Sequence, residues 1–307
     1  CLMNHTKIPT TNFLNQTSNN QFILENYLGI NKEFKILISL IKEFIVLVKN
    51  GIKEHNNLKR KVYFNAANAS LSFESFNSIR IGIQIQEILK KVKPKVLLLT
   101  FEGYSWERSA ISYTKKLNQD IKCIGYIHSA VFDNQHAIFR NLTHSYNPDL
   151  FLTASENMKK QIKEKVAGSE YKIHTLGSLK KDKVKSLKNK GFSCLVVPEG
   201  IIDECTLLFE FSLKCALINP NINFIWRVHP VISFEKLIKK NKSFINLPKN
   251  IILSKNSFEE DILSSRVIIY RGSTAIIKAI RYGLTPIYLD LGDQFSIDPI
   301  YQFETGK

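Results

Sequence analysis

What most constrains this chain is a rhythm. From residue 95 to residue 289, short apolar runs alternate with segments whose apolar residues recur at helical spacing. Residues 95–100 (KVLLLT) are a continuous apolar run, as expected of a parallel strand buried on both faces. A helix over 106–117 follows, then strands at 121–128 and 149–154, a helix over 155–165 and a strand at 171–176. The second half repeats the pattern. Strands at 194–198, 222–227, 251–254, 266–270 and 286–289 alternate with helices over 202–217, 234–240, 258–264 and 273–282. Upstream, residues 1–30 are polar and irregular, 31–55 predict a helix, 60–64 a short strand, and 78–91 a helix stopped before Pro94.

Strands alternating with helices imply parallel sheets with right-handed crossovers. Two such sheets in tandem predict an α/β chain of two Rossmann-like domains facing across a cleft. Residues 1–185 form the first, with a helical N-terminal segment, and 186–307 the second. The Lys-rich, polar stretch 180–190 reads as their connection. Ligands then sit beyond the carboxyl ends of the strands.

Composition narrows the partners. A net charge of +16 attracts anions. The lysines are spread rather than striped and no nucleic-acid motif is present, so a solvated Lys surface fits better than a nucleic-acid footprint. The five cysteines form no CxxC pair, and Cys123 and Cys194 lie in strand-like runs as buried thiols, which fits a reducing, cytoplasmic compartment. The seven histidines show neither HxxxH nor HExxH spacing, so no metal is expected. The most apolar stretch, 34–48, is broken by Lys35, Lys42 and Glu43 and cannot span a bilayer. It reads as an amphipathic helix, packed on the core or, alternatively, lying on the inner face of the plasma membrane as a peripheral contact. A chain running from Cys1 to Lys307, just past Pro299, reads as a fragment open at both ends, with the second domain truncated.

Five constellations carry chemistry. Arg271-Gly272-Ser273-Thr274 joins a strand to a helix. There Gly272 permits a sharp turn and close backbone approach, Ser273 and Thr274 either cap the helix or donate to a phosphate, and Arg271 offers a fork for phosphate oxygens. In Trp226-Arg227-Val228-His229-Pro230, strand alternation sends Arg227 and His229 to one side, and Pro230 holds His229 extended at the strand tip. Glu199, in Pro198-Glu199-Gly200, either accepts from ribose or sugar hydroxyls or caps the next helix. In the first domain Glu102 and Glu107 follow the 95–100 strand; either can deprotonate a hydroxyl or attack an anomeric carbon, and Glu107 alternatively serves the helix dipole. His128, ending the next strand, points the same way, while His136 and His144 read as surface or acceptor-loop residues.

The His229-Pro230 and Ser273-Thr274 pairs resemble those of bacterial GT-B-type glycosyltransferases that use CMP-activated sugars: the sialyltransferase-like, polysialyltransferase-like and capsule or lipopolysaccharide Kdo transferase-like families. The resemblance spans residues 95–290 and extends to the segments 102–107, 124–129 and 198–200. It implies that His229, Pro230, Ser273 and Thr274 hold the CMP moiety; with the residue reading above, Glu199, Gly200, Arg227, Arg271 and Gly272 complete the expected nucleotide site, with Glu102, Glu107 or His128 catalytic. It further implies a metal-independent enzyme with no cofactor beyond the nucleotide-sugar donor, acting on a surface polysaccharide or lipid-linked glycan, with the first domain on the acceptor side. The families' acidic-acidic-glycine motif is missing in that form, and Glu102-Gly103 is the nearest match. A UDP-sugar 2-epimerase or polyol-phosphate transferase of the same architecture, or a non-catalytic nucleotide- or glycan-binding protein, are the alternatives. The lack of GxGxxG after any strand argues against an NAD-dependent dehydrogenase.

Overall fold

The computed structural model describes residues 2–4, 21–24, 27–134, 136–140, 142–166, 171–178, 193–292 and 295–302. The Lys-rich stretch 180–190 lies outside them. The chain divides into two compact units. One comprises residues 1–128 and 137–177, the other 129–136 and 178–307.

In the first unit a short parallel pair, β1 (Leu2–Asn4) and β2 (Gln21–Ile23), precedes three helices, α1 (Ile30–Lys53), α2 (Asn57–Ser70) and α3 (Phe73–Val92). The polar start of the chain gives no warning of the strand pair. Helix α2 replaces the strand expected at 60–64. Val62-Tyr63-Phe64 has strand-like chemistry, but Asn56 starts a helix there, its side chain accepting from Leu58 and Lys59 N–H. Close packing at Gly51 of α1, where an added Cβ would lie 3.1 Å from Tyr63 Cβ, fixes that helix against its neighbour. Helix α3 ends at Lys93, which takes the left-handed conformation (φ 49°) ahead of Pro94.

The α/β part follows as β3 (Val96–Thr100), α4 (Ser105–Leu117), β4 (Lys122–Ile127), the single turn α5 (His136–Phe139), β5 (Leu150–Thr153), α6 (Glu156–Lys165) and β6 (Lys172–Thr175). These four strands pair in parallel in sequence order, β3-β4-β5-β6. One face of the sheet is buried through Leu97, Cys123, Ile127, Phe151 and Ile173. On the other, Val96 and Leu98 of the edge strand β3 stay 47% and 57% exposed. The expectation that 95–100 is buried on both faces therefore fails. Successive right-handed crossovers in one direction put their helices on a single side.

The second unit runs β7 (Ser193–Val197), α7 (Ile202–Ile218), β8 (Asn223–Trp226), α8 (Phe234–Lys240), β9 (Ile251–Leu253), α9 (Phe258–Leu263), β10 (Val267–Tyr270), α10 (Ala275–Arg281) and β11 (Thr285–Tyr288). The all-parallel order is β11-β10-β7-β8-β9. Its strands alternate between two cores. Cys194, Val196, Trp226 and Ile269 pack with α7 and α8, whereas Leu195, Val197, Ile268 and Tyr270 pack with α9 and α10. Both faces of the central strands β7, β8 and β10 are covered, which is why these strands read as unbroken apolar runs, whereas Ile252 of β9 and Ile287 of β11 at the edges stay exposed. Cys123, Cys194 and Cys205 are free, buried thiols, pushed up to about 12 by burial. Among the described residues no helix is long and apolar enough to cross a membrane.

Candidate functional site

The reversal of strand order in the second unit fixes where to look. Strand β7 feeds α7 on one face while β10 feeds α10 on the other. Their ends part there, leaving a crevice beyond the carboxyl ends of the strands. A pocket of about 290 Å³ occupies that region. Its walls are Val197 and Pro198 at the end of β7, Arg227, Val228, His229 and Pro230 after β8, Phe258 on α9, and Ser273, Thr274 and Ala275 entering α10.

Arg227 is held rather than loose. Its Nη1 donates to Asp261 Oδ2 and to the Asn256 carbonyl, each at 2.8 Å. Its guanidinium carbon lies 5.6 Å from the Phe258 ring centroid. Asp261 is fully buried and also accepts from Ser254 Oγ at 2.6 Å. One edge of the guanidinium is thus anchored while the side chain remains 27% exposed at the pocket wall.

His229 accepts a 3.4 Å contact from Val231 N–H at Nδ1, which in the neutral ring leaves the proton on Nε2. Gly200 lies against this ring, and an added Cβ would stand 3.1 Å from both Cε1 and Nδ1. Thr274 sits at the N-cap of α10 with no side-chain capping bond, so the capping alternative for its hydroxyl is not taken up. The site residues brought together in one pocket are Arg227, His229, Pro230, Ser273 and Thr274.

Arg271, Gly272 and Glu199 are placed differently. The Arg271 side chain is buried and ion-paired to Glu204 of α7, which ties the end of β10 to that helix and keeps the guanidinium out of the pocket wall. Gly272 does not adopt a left-handed backbone. An added Cβ would stand 2.5 Å from Glu199 Oε2 and 3.0 Å from Ile297 Cδ1, so a larger residue would push those side-chain ends aside. The group approaching this backbone is therefore the chain's own carboxylate. Burial, then the charge of Glu204, raises the Glu199 pKa above the usual carboxylate range, against the opposing pull of Arg271.

In the first unit the β3–α4 turn is closed by Glu107. This residue is 1% exposed, and its carboxylate accepts from Glu102 N–H at 3.0 and 3.1 Å and from Tyr104 N–H at 2.8 Å. Burial pushes its pKa up to about 7, while backbone N–H groups of Glu102, Tyr104 and Gly103 favour the carboxylate. Gly103 has φ +84° and no space for a Cβ, which would lie 2.3 Å from the Ala137 carbonyl oxygen. In this geometry Glu107 caps the start of α4 through the N–H groups of the turn. Glu102 is more accessible, and its Oε1 stands 3.9 Å from His128 Nε2. His144 pairs with Asp149 at 3.2 Å. The side chain of His136 lies outside the described residues.

Sequence reading overlooked Phe258 and Asp261. The legible signal was an aspartate at helical spacing from Phe258 on a short helix, adjoining the buried Ile262. Among the described residues no group of three or more His, Cys, Asp or Glu is set to hold a metal ion. The second-unit pocket offers a fixed cation, an imidazole N–H and two hydroxyls, a set suited to an anionic, phosphate-bearing ligand.

No protein-family model matches the chain, and no curated protein matches it. Solved structures do. The S. aureus MnaA–UDP co-structure is similar at 11% identity and a TM-score of 0.50, over 86% of this chain and 78% of that one. The Methanocaldococcus jannaschii UDP-GlcNAc 2-epimerase in complex with UDP-GlcNAc and UDP gives 14% identity and a TM-score of 0.49, over 90% and 78%. The GtfA/B complex gives 13% identity and a TM-score of 0.47, over 68% of this chain and only 45% of the matched one. At these identities the likeness is one of fold, and the chain has the GT-B-like fold of two Rossmann-like α/β units.

Proposed function

We propose that this chain is a nucleotide-sugar-dependent glycosyltransferase whose second unit binds the nucleotide. The observation that carries the reading is the convergence of Arg227, His229, Ser273 and Thr274 on one pocket at a strand-order reversal. Breaking the bond between a sugar and a phosphate leaves negative charge on the departing nucleotide. A preorganised guanidinium and neutral donors stabilise that charge as it develops. Glu102, 3.9 Å from His128, is the proposed base for the proton of an acceptor hydroxyl.

CMP is the donor nucleotide favoured by the His229-Pro230 and Ser273-Thr274 pairs. UDP, bound in the MnaA co-structure, is its competitor. The proposed acceptor is a surface polysaccharide or lipid-linked glycan, on the strength of the same sequence resemblance. Titration calorimetry with CMP, UDP and GDP tests the reading, and CMP should bind most tightly. Binding of UDP but not CMP would reject the donor assignment, and no heat with any of the three would reject the nucleotide site. Turnover of a UDP-sugar without an acceptor would make the chain an epimerase instead.

A further inference from the structure

Helix α1 has two apolar faces, and among the described residues only one is covered. Ile36, Leu40 and Gly51 are buried. A second row, Phe34, Ile38, Ile41, Ile45, Val48 and Ile52, recurs at alternating steps of four and three residues and so forms one continuous stripe. Phe34, Ile38, Ile41, Ile45 and Ile52 on it are 60%, 37%, 42%, 43% and 69% exposed. Lys35, Lys42 and Lys49 each follow a stripe residue at seven-residue intervals, so all three lie on the same flank, and all are exposed.

The charge pattern selects the occupant. A second copy of this helix packed antiparallel would set the lysine row against itself. Packed parallel, it would set those lysines against Leu37, Phe44 and Gly51, with no acidic partner. An aliphatic stripe edged by one row of ammonium groups matches an anionic lipid surface instead. There the side chains enter the acyl boundary and the lysines meet headgroup phosphates. From the residues of α1 alone, independently of the nucleotide reading, we propose that this face docks the chain on an anionic bilayer, with the helix lying in the interface plane.

The test is co-sedimentation of the intact chain with vesicles of phosphatidylglycerol and phosphatidylcholine, against vesicles of phosphatidylcholine alone. Binding is expected to the anionic vesicles and to be far weaker to the neutral ones. The triple variant K35Q/K42Q/K49Q should lower partitioning to anionic vesicles about a hundredfold, from roughly 1 kcal/mol per lysine. A second variant, I38S/I41S/I45S, should abolish it. All six side chains are solvent-exposed, so circular dichroism of both variants should match that of the parent. Anionic vesicles that leave the parent chain in the supernatant would overturn the proposal, as would binding that survives both variants. So would a lipid-free dimer in sedimentation velocity that the serine variant dissociates.

Discussion

The two units build the same strand–turn–helix device and finish it in opposite ways. After β3, the turn into α4 closes on an internal carboxyl group, and the Glu107 side chain takes the N–H groups of Glu102 and Tyr104. After β10, the turn into α10 supplies Ser273, Thr274 and Ala275 to the wall of a pocket. The sheets differ in parallel. The first is sequential and leaves Val96 and Leu98 of its edge strand exposed, whereas the second reverses order at β7 and β10, which are central strands buried on both faces. The lesson is that a strand–helix turn is not in itself a ligand site. It becomes one where strand order reverses and, among the described residues, no side chain fills the space.

The largest test of this contrast is in the cores. Leu195 of β7 is fully buried, and Leu195→Ala should cost about 3–4 kcal/mol in urea unfolding followed by circular dichroism. If the loss were below about 1 kcal/mol, the second sheet would not be the better covered of the two.

Next comes the closed turn. A folded Glu107 pKa of about 7 lies above its unfolded value, so the folded state holds the proton more tightly. The stability this contributes is full below pH 4.5, is lost as pH rises, and is gone above pH 7. The span is on the order of 3 kcal/mol. Glu107→Gln should flatten that slope, and an unchanged slope would assign it to other groups.

In the pocket that the open turn helps to line, His229→Ala, after β8, should weaken CMP binding tenfold to a hundredfold by calorimetry, about 1.4–2.7 kcal/mol. Unchanged affinity would remove His229 from the site. The smallest effect belongs to the uncovered face of the first sheet. Leu98→Ala, at a residue 57% exposed, should move stability by less than about 0.5 kcal/mol. A loss near that of Leu195→Ala would show the face to be covered after all.

Most strands and helices were legible because their signals are local. The apolar runs after 193 and the helical spacing over Phe234–Lys240 carry their own period. What escaped was set by distant partners. Val62-Tyr63-Phe64 is helical because of Asn56 and the neighbouring α1. Strand β3 has an exposed face because of strand order, which no single strand encodes. In the site, the strand-tip residues Arg227 and His229 were readable from alternation and Pro230. The pairing of Arg271 with Glu204, across 67 residues, and of Arg227 with Asp261, across 34, was not. Gly272 was recognisable as special but for another reason, since the carboxylate that crowds it comes from Glu199 on a different strand end.

The aromatic packing under the pocket has a practical consequence. Trp226, one of two tryptophans, is 0% exposed, stacks on Phe209 at 4.3 Å and 5°, and immediately precedes Arg227. Its indole is therefore an intrinsic fluorophore set in a rigid apolar cage, one peptide unit from the pocket wall. Changes in its emission would report occupancy of the pocket without any attached dye.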